Sequence, residues 1–123
     1  MKRLVLIVDD EPDICWSLDK ILRDAGIDSQ KALSGKEALT AMKENIFRLV
    51  FLDVKLTDID GLKLAKLIQK IDSSICIVLI SGYFYKEDFT VKKALHDGLI
   101  SGFISKPFRN KDIIQTIKMA GIL

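Results

Sequence analysis

The chain has 123 residues, of which 49% are hydrophobic and 29% are charged, and its formal net charge is +2. This length is typical of one domain with one core, and the composition is that of an ordinary globular protein. No apolar run approaches the roughly 20 residues that span a bilayer, and the lysines are scattered rather than clustered with aromatic residues, which gives little support to nucleic-acid binding. The first apolar run ends at Asp9, too early for an export signal. We therefore expect a single cytoplasmic domain over residues 1–123.

Hydrophobic periodicity predicts strands that alternate with helices along the whole chain. Short, nearly continuous apolar runs are typical of strands buried on both faces, whereas apolar residues three and four positions apart are typical of amphipathic helices. The strands are expected over residues 4–8, 27–33, 49–53, 75–80 and 101–105. The helices are expected over residues 12–25, 34–46, 64–71, about 86–97 and 110–121.

Local end signals support several of these helices. Pro12 suits a first turn, because its missing N–H costs nothing there. Gly26 is placed to end the first helix. Ser34 and Glu37 fit the S-x-x-E capping box at the start of the second helix, and Asn110 is expected to cap the last helix.

The order of the elements predicts an α/β fold of the (βα)5 type, a doubly wound five-stranded parallel sheet with helices on both faces. In such sheets, sites form beyond the carboxyl ends of the strands, where the winding direction reverses. Polar residues follow four of the predicted strands at this edge: Asp9 and Asp10, Asp53, Ser81, and Lys106. We expect these side chains to converge.

This set of side chains indicates a chemistry. Carboxylates at neighbouring strand ends repel one another, and a hard divalent cation such as Mg²⁺ would remove that conflict. Lys106 would supply a positive charge for a phosphoryl group and Ser81 a hydrogen bond. Metal, lysine and a free carboxylate together suit phosphoryl transfer, in which the carboxylate can act as the nucleophile and form an aspartyl phosphate.

Five stretches of the chain carry a family resemblance in their order and spacing. They are Val8 to Pro12, the strand that ends at Asp53, Asp58 to Gly61, Ser81-Gly82, and Lys106 to Phe108. In this combination the chain resembles the receiver domain of two-component response regulators. The resemblance covers the whole chain and implies a flavodoxin-like sheet with strand order 2-1-3-4-5. Thr57 is a departure, since family members often carry proline at that position.

The resemblance implies roles for the acidic residues. Asp53 would accept a phosphoryl group from the phosphohistidine of a sensor histidine kinase or a phosphotransfer protein. Asp10 and Asp53 would ligate Mg²⁺ directly, together with the backbone carbonyl of Lys55. Asp9 would ligate the metal directly or through a water.

The resemblance also implies a switch. Ser81 would swing to bond the phosphoryl oxygens, Lys106 would pair with them, and Phe103 would be the aromatic residue that turns inward on activation. The Lys106–Pro107 peptide bond would be cis. The surface of the fourth helix, fifth strand and fifth helix would then change its affinity for a downstream effector domain or protein. Homodimerisation through that surface is a hypothesis, and the domain would be a switch rather than a turnover enzyme.

Alternatives from other classes remain open. A pseudo-receiver would keep the fold as a constitutive protein-interaction module, and failure to bind Mg²⁺ would favour it. A Mg²⁺-dependent phosphohydrolase usually carries a second acid two residues after its nucleophile, where this chain has Lys55. A flavodoxin-like cofactor binder is disfavoured, because acids rather than a glycine-rich loop follow the first strand.

Several residues also have a purely structural interpretation. Lys106 could be an ion-pair partner of Asp53, Ser81 a cap at a strand end, and Phe103 part of the core. For some other residues we prefer the structural interpretation outright: His96, Trp16, Cys15 and Cys76.

Overall fold

A computed structural model describes residues 5–82 and 89–122, within which strands and helices alternate strictly. Strands β1 to β5 cover Val5–Val8, Ser29–Ala32, Leu49–Asp53, Cys76–Ser81 and Gly102–Ser105. Helices α1 to α5 cover Pro12–Asp24, Gly35–Glu44, Gly61–Ile71, Phe89–His96 and Asn110–Met119. Two expected boundaries, residue 4 of the first strand and residue 86 of the fourth helix, lie outside the described residues.

The strands form one parallel sheet in the order β2-β1-β3-β4-β5, which confirms the predicted fold and strand order. From β1 the chain first passes outward to β2 and then crosses back to β3 on the other side of β1. The winding direction therefore reverses between β1 and β3, and the carboxyl ends of these two strands flank the position where such sheets place their sites.

Side chains of the central strands alternate between two cores, one on each face of the sheet. Under α2, α3 and α4 lie Leu6, Val8, Val50, Leu52, Ile77 and Leu79. Under α1 and α5 lie Val5, Ile7, Leu49, Phe51, Val78 and Ile80. Burial on both faces explains why these strands are continuous apolar runs rather than alternating ones. Among the described helices, none is long and apolar enough to cross a membrane.

The capping predictions are confirmed in part. The Ser34 hydroxyl accepts a hydrogen bond from the Glu37 N–H at 3.1 Å, as the box requires. The Glu37 carboxylate, however, accepts from the N–H of Leu33 at 3.3 Å. At α5 the prediction of Asn110 as the cap was wrong, because the extended residue is Arg109, whose N–H donates to Asp112 Oδ2 at 3.0 Å.

The predicted extension of α2 to Ile46 was also wrong. The helix ends at Glu44, and Asn45 is extended with φ −138° and ψ 160°. This turn leaves Ile46 83% exposed and places Phe47 in the core. The two apolar residues past Glu44 therefore belong to a connection in which Phe47 is buried and Ile46 is exposed.

Candidate functional site

Three carboxylates meet at the carboxyl ends of β1 and β3. Asp9 and Asp10 directly follow β1, and Asp53 is the last residue of the neighbouring β3. Each offers a carboxylate oxygen, and these atoms all lie within 4.8 Å of one another. Asp9 is 2% exposed and Asp53 7% exposed, so the repulsion between them is poorly screened by water. The predicted convergence of the acidic residues is therefore present.

Lys106 brings a positive charge to this acidic cluster from the segment after β5. Its Nζ lies 2.8 Å from Asp9 Oδ2 and 3.8 Å from Asp53 Oδ1. Burial is the largest single influence on its pKa and lowers it, but the hydrogen bond to Asp9 and the charges of Asp9 and Asp53 together outweigh burial and raise the pKa above its usual value. Lys106 is thus a permanent cation whose closest partner is Asp9.

Burial and the electrostatic repulsion in the cluster raise the pKa of Asp53. Burial and the charge of Asp9 raise its pKa from 3.8 to about 6, with a further contribution from Asp10. Lys106 and the backbone N–H of Lys55, 3.5 Å from Asp53 Oδ1, oppose this shift without cancelling it. A carboxylate that is this costly to ionise gains strongly from a cation placed beside it.

The donor set fits Mg²⁺ rather than a softer metal. All three ligating groups in the cluster are carboxylates, which are hard oxygen donors. Mg²⁺ is commonly held by one or two carboxylates and completes its shell with waters and phosphate oxygens. Lys55, whose carbonyl the resemblance adds to the ligands, lies two residues beyond Asp53 and is exposed.

Ser81 and Phe103 occupy neighbouring strands beside the cluster. Ser81 is the last residue of β4 and is 1% exposed. Its carbonyl accepts a hydrogen bond of 2.7 Å from the N–H of Lys106, which joins the ends of β4 and β5. Phe103, on β5, is half-buried against the core under α2, α3 and α4. The Lys106–Pro107 peptide bond is cis.

The loop of residues 54–60, here called the acceptor loop, is packed tightly behind Asp53. The N–H of Gly61 donates to the carbonyl of Val54 at 2.8 Å, and Lys55 and Asp60 form an antiparallel bridge. A Cβ added at Gly61 would lie 2.6 Å from the carbonyl oxygen of Asp53 and 2.7 Å from Val54 Cα. Glycine is therefore needed where α3 begins, because the helix meets the backbone of the acidic residue.

Asp58, in the middle of the acceptor loop, has a contact that sequence analysis did not anticipate. Its two carboxylate oxygens accept hydrogen bonds from the N–H groups of Gly35 at 2.9 Å and Lys36 at 3.0 Å, in the first turn of α2. Asp58 belongs to the stretch from Asp58 to Gly61 that carries the family resemblance, but no role was predicted for it. The partners are 22 and 23 residues away in sequence, so no local pattern could reveal the contact.

A buried carboxylate on α1 was also missed. Asp19 is 7% exposed and accepts a hydrogen bond of 2.6 Å from the Ser29 hydroxyl. It also pairs with Arg23 at 2.9 Å and with Lys31 at 3.6 Å. Burial is the largest influence on its pKa and raises it, but these hydrogen bonds and charges together lower it below the usual value. The network joins α1 to the edge strand β2.

The two cysteines differ in burial, since Cys15 is buried and Cys76 is only half-buried. Both are free thiols. Cys15 is fully buried and donates to the backbone carbonyl of Asp9 at 3.4 Å. Burial, followed by the charge of Asp9, raises the pKa of Cys15 to about 11, so this thiol stays protonated at neutral pH.

Comparison with known proteins places this geometry in a family. The model of the response regulator receiver domain matches residues 5–118. The DNA-binding response regulator MtrA of Mycolicibacterium smegmatis is 33% identical over 121 residues, which cover 96% of this chain and 50% of that protein. The transcriptional regulatory protein ZraR of Escherichia coli is 30% identical over 116 residues, which cover 94% of this chain and 26% of that protein. The chain thus spans about half or less of these relatives.

Solved structures agree with the sequence relatives. The receiver domain of NtrX from Brucella abortus superposes with a TM-score of 0.86 at 36% identity, covering 94% of this chain and 96% of that one. A CheY-like receiver domain protein from Methanospirillum hungatei gives a TM-score of 0.86 at 25% identity, covering 97% and 93%. These matches agree with the geometry of the site, in which an acidic cluster lies where the winding reverses and a lysine lies beside it. We conclude that the chain belongs to the response regulator receiver domain family.

Proposed function

We propose that this receiver domain is a phosphorylation-activated switch that accepts a phosphoryl group on Asp53 in a Mg²⁺-dependent reaction. The observation that carries this proposal is the position of Asp53, which shares a cluster with Asp9 and Asp10 and lies 3.8 Å from the Lys106 ammonium. A nucleophilic carboxylate, metal-binding carboxylates and a cation are the parts that phosphoryl transfer needs, because its catalysis is mostly positioning and charge neutralisation.

In this proposal the residues of the site have separate roles in metal binding, nucleophilic attack and charge pairing. Asp9, Asp10 and Asp53 would hold Mg²⁺, with the Lys55 carbonyl as a further ligand. The metal, when bound, supplies a positive charge for the carboxylates and the phosphoryl oxygens. An oxygen of Asp53 attacks the phosphorus of a phosphohistidine, the new O–P bond forms as the P–N bond breaks, and the imidazole leaves. Lys106 would then have the phosphoryl group on Asp53 within reach, in addition to the Asp9 carboxylate.

The signal would leave the site through the strands that carry Ser81 and Lys106. The hydrogen bond from the Lys106 N–H to the Ser81 carbonyl, at 2.7 Å, joins the two strand ends next to the phosphoryl group. A new partner for Ser81 and Lys106 favours one of two arrangements of the segments around them. Phe103 on β5 is half-buried, and in this proposal it would turn further inward on activation.

The proposed output surface is formed by α4, β5 and α5. Phe89 on α4 is 79% exposed and Met119 on α5 is 80% exposed, so both apolar side chains are accessible to a partner. A groove of about 700 Å³ lies along β5 and α5. Homodimerisation through this surface stays a hypothesis, and molar mass from light scattering with and without a phosphoryl mimic tests it.

The partners follow from the same proposal. The phosphoryl donor would be a sensor histidine kinase or a phosphotransfer protein. The receiver would act on an effector domain or a separate effector protein, as the names of its longer relatives, a DNA-binding response regulator and a transcriptional regulatory protein, suggest. We do not propose that this domain binds nucleic acid directly. We do propose that it is located in the cytoplasm.

Intact mass after incubation with acetyl phosphate tests the function. The wild-type protein, with and without Mg²⁺, is compared with Asp53→Asn. We expect one phosphoryl adduct that requires Mg²⁺ and is absent from the variant. Absence of both an adduct and calorimetric Mg²⁺ binding in the wild type would favour the pseudo-receiver, a constitutive protein-interaction module. Repeated turnover of a generic phosphate ester would favour a phosphohydrolase.

A further inference from the structure

We propose that Asp58 is a positioning residue for the acceptor site, because it fixes the acceptor loop to the first turn of α2. The inference rests on the proposed function, since it concerns how the loop behind Asp53 is held for metal binding and phosphoryl transfer. Asp58 would have this positioning role although it is not one of the three clustered carboxylates.

The Asp58 carboxylate accepts two backbone hydrogen bonds from α2. Its Oδ1 accepts from the Gly35 N–H at 2.9 Å and its Oδ2 accepts from the Lys36 N–H at 3.0 Å. These N–H groups belong to the first turn of α2, where backbone donors have no partner within the helix. A negative charge at this end of a helix is also favoured by the helix dipole. Asp58 thus binds the loop to α2 through two charge-assisted hydrogen bonds.

The loop and α2 are also closely packed at the same junction. A Cβ added at Gly35 would overlap the Ile59 Cγ2 methyl group and would lie 3.3 Å from Asp58 Oδ1. Ile59 is partly buried and packs against the core under α2, α3 and α4. The acceptor loop therefore meets α2 through polar and apolar contacts together, and α2 leaves space for it by having glycine at its first position.

The path along the chain from Asp58 to the acidic cluster is short. Lys55, at the other end of the loop, directs its backbone N–H toward Asp53 Oδ1 at 3.5 Å and also forms a bridge with Asp60. The loop has a threonine at position 57, where a proline ring would have fixed φ. Its conformation therefore depends on its anchors, which are the start of α3 at one end and Asp58 in the middle.

The competing explanation is that Asp58 merely caps α2. Ser34 provides a matched control, because its hydroxyl caps the same helix through the Glu37 N–H at 3.1 Å. Ser34 lies outside the acceptor loop. Loss of either side chain removes a cap from α2, but only loss of Asp58 releases the loop.

The first experiment measures the rate of phosphoryl-adduct formation with acetyl phosphate as a function of Mg²⁺ concentration, together with the melting temperature. We expect Asp58→Ala to lower the limiting rate or the Mg²⁺ affinity about five- to tenfold, since small displacements at a reacting site are costly. Ser34→Ala should lower the melting temperature but leave both kinetic quantities within about twofold. Asp58→Asn should recover part of the loss, because its amide oxygen still accepts one hydrogen bond.

Equal kinetic effects of Asp58→Ala and Ser34→Ala would overturn the inference and leave Asp58 as a cap. No adduct and no Mg²⁺ binding in the wild type would be a different result, because it contradicts the proposed function itself.

A second experiment needs no variant of Asp58. Coupling between two sites is reciprocal, so a ligand that needs an ordered acceptor loop should in turn stabilise the loop's anchor. We expect Mg²⁺ with beryllofluoride to slow amide hydrogen exchange at Gly35 and Lys36 in the wild type and not in Asp53→Asn. Unchanged exchange at these two amides in a wild-type protein that binds the ligand would contradict the inference.

Discussion

The Lys106 ammonium is bound first to Asp9, at 2.8 Å, and only second to Asp53, at 3.8 Å. The charge of the lysine is therefore closest to that of Asp9, and Asp53, the proposed phosphoryl acceptor, keeps a pKa raised to about 6 by its burial and by Asp9. In the proposed switch, phosphorylation of Asp53 adds negative charge near Lys106 and competes with Asp9 for it. Lys106 would therefore have two alternative partners, the Asp9 carboxylate and the phosphoryl group on Asp53.

Replacement of Lys106 by methionine tests this balance. The variant keeps a long side chain but removes a positive charge from the acidic cluster, so Mg²⁺ should bind about three- to tenfold more tightly at pH 8, where Asp53 is charged. Isothermal calorimetry measures the affinity. Lys20→Met is the control, because Lys20 pairs with Asp24 on the exposed side of α1. Weaker binding by Lys106→Met than by the control would contradict the electrostatic account.

Asp53→Asn should stabilise the metal-free protein more at pH 8 than at pH 4.5. The pKa of Asp53 is raised from 3.8 to about 6, so the folded state binds this proton more tightly than the unfolded state. The penalty is absent only well below pH 3.8, where the group is neutral in both states, is partial at pH 4.5, and is complete above about pH 6, where it is charged in both.

The expected gain at pH 8 is ~1–2 kcal/mol in the free energy of unfolding, after allowance for water at the mouth of the site. Urea unfolding in the presence of EDTA at the two pH values measures it. Asp24→Asn is a control from outside the cluster, because Asp24 lies in an exposed pair with Lys20 and loss of its charge should change stability little at either pH. The same gain at both pH values would show that the charge of Asp53 is not the cause.

Gly61→Ala should damage both stability and the site. The added Cβ would lie 2.6 Å from the Asp53 carbonyl oxygen, so the backbone must shift, at a cost of ~1–3 kcal/mol typical of overpacking. The rate of phosphoryl-adduct formation should fall with it. Gly102→Ala is the control, since its Cβ would be no closer than 3.8 Å to Val78. Normal adduct formation by Gly61→Ala would show that the loop tolerates the displacement.

Asp19→Ala should cost ~1–3 kcal/mol of unfolding free energy, because it leaves the buried Ser29 hydroxyl without its 2.6 Å acceptor. Asp24→Ala, which breaks an exposed pair with Lys20, should change stability by less than ~0.5 kcal/mol. A double-mutant cycle with Ser29→Ala should show coupling between Asp19 and Ser29. Additive effects of the two substitutions would exclude the hydrogen bond as the source of the loss.

Much of the fold was predictable because its signals are local. The run from Leu49 to Asp53 is apolar until its last residue, and the structure buries it on both faces. Gly26 was also a local signal, and it has the positive φ of 79° that is common just after a helix. The convergence of Asp9, Asp10 and Asp53 also followed from topology, because parallel strands end at the same edge.

The missed features depend on contacts between distant parts of the chain. Asp58 reaches α2 across more than 20 residues, and Asp19 reaches β2 across 10. At α5, an ordinary cap preference favoured Asn110, but Arg109 takes the position because Asp112 satisfies its N–H. Single-residue preferences cannot decide between neighbours when a side chain one turn away supplies the hydrogen bond.

The most direct test of the central claim is to identify the residue that carries the phosphoryl group. Borohydride reduces an acyl phosphate to an alcohol, so it would convert a phosphorylated aspartate into homoserine. After treatment with acetyl phosphate and Mg²⁺, peptide mass spectrometry should find homoserine at position 53 and aspartate at positions 9 and 10. Homoserine at Asp9 or Asp10, or a phosphoryl adduct that borohydride does not convert at Asp53, would contradict the account.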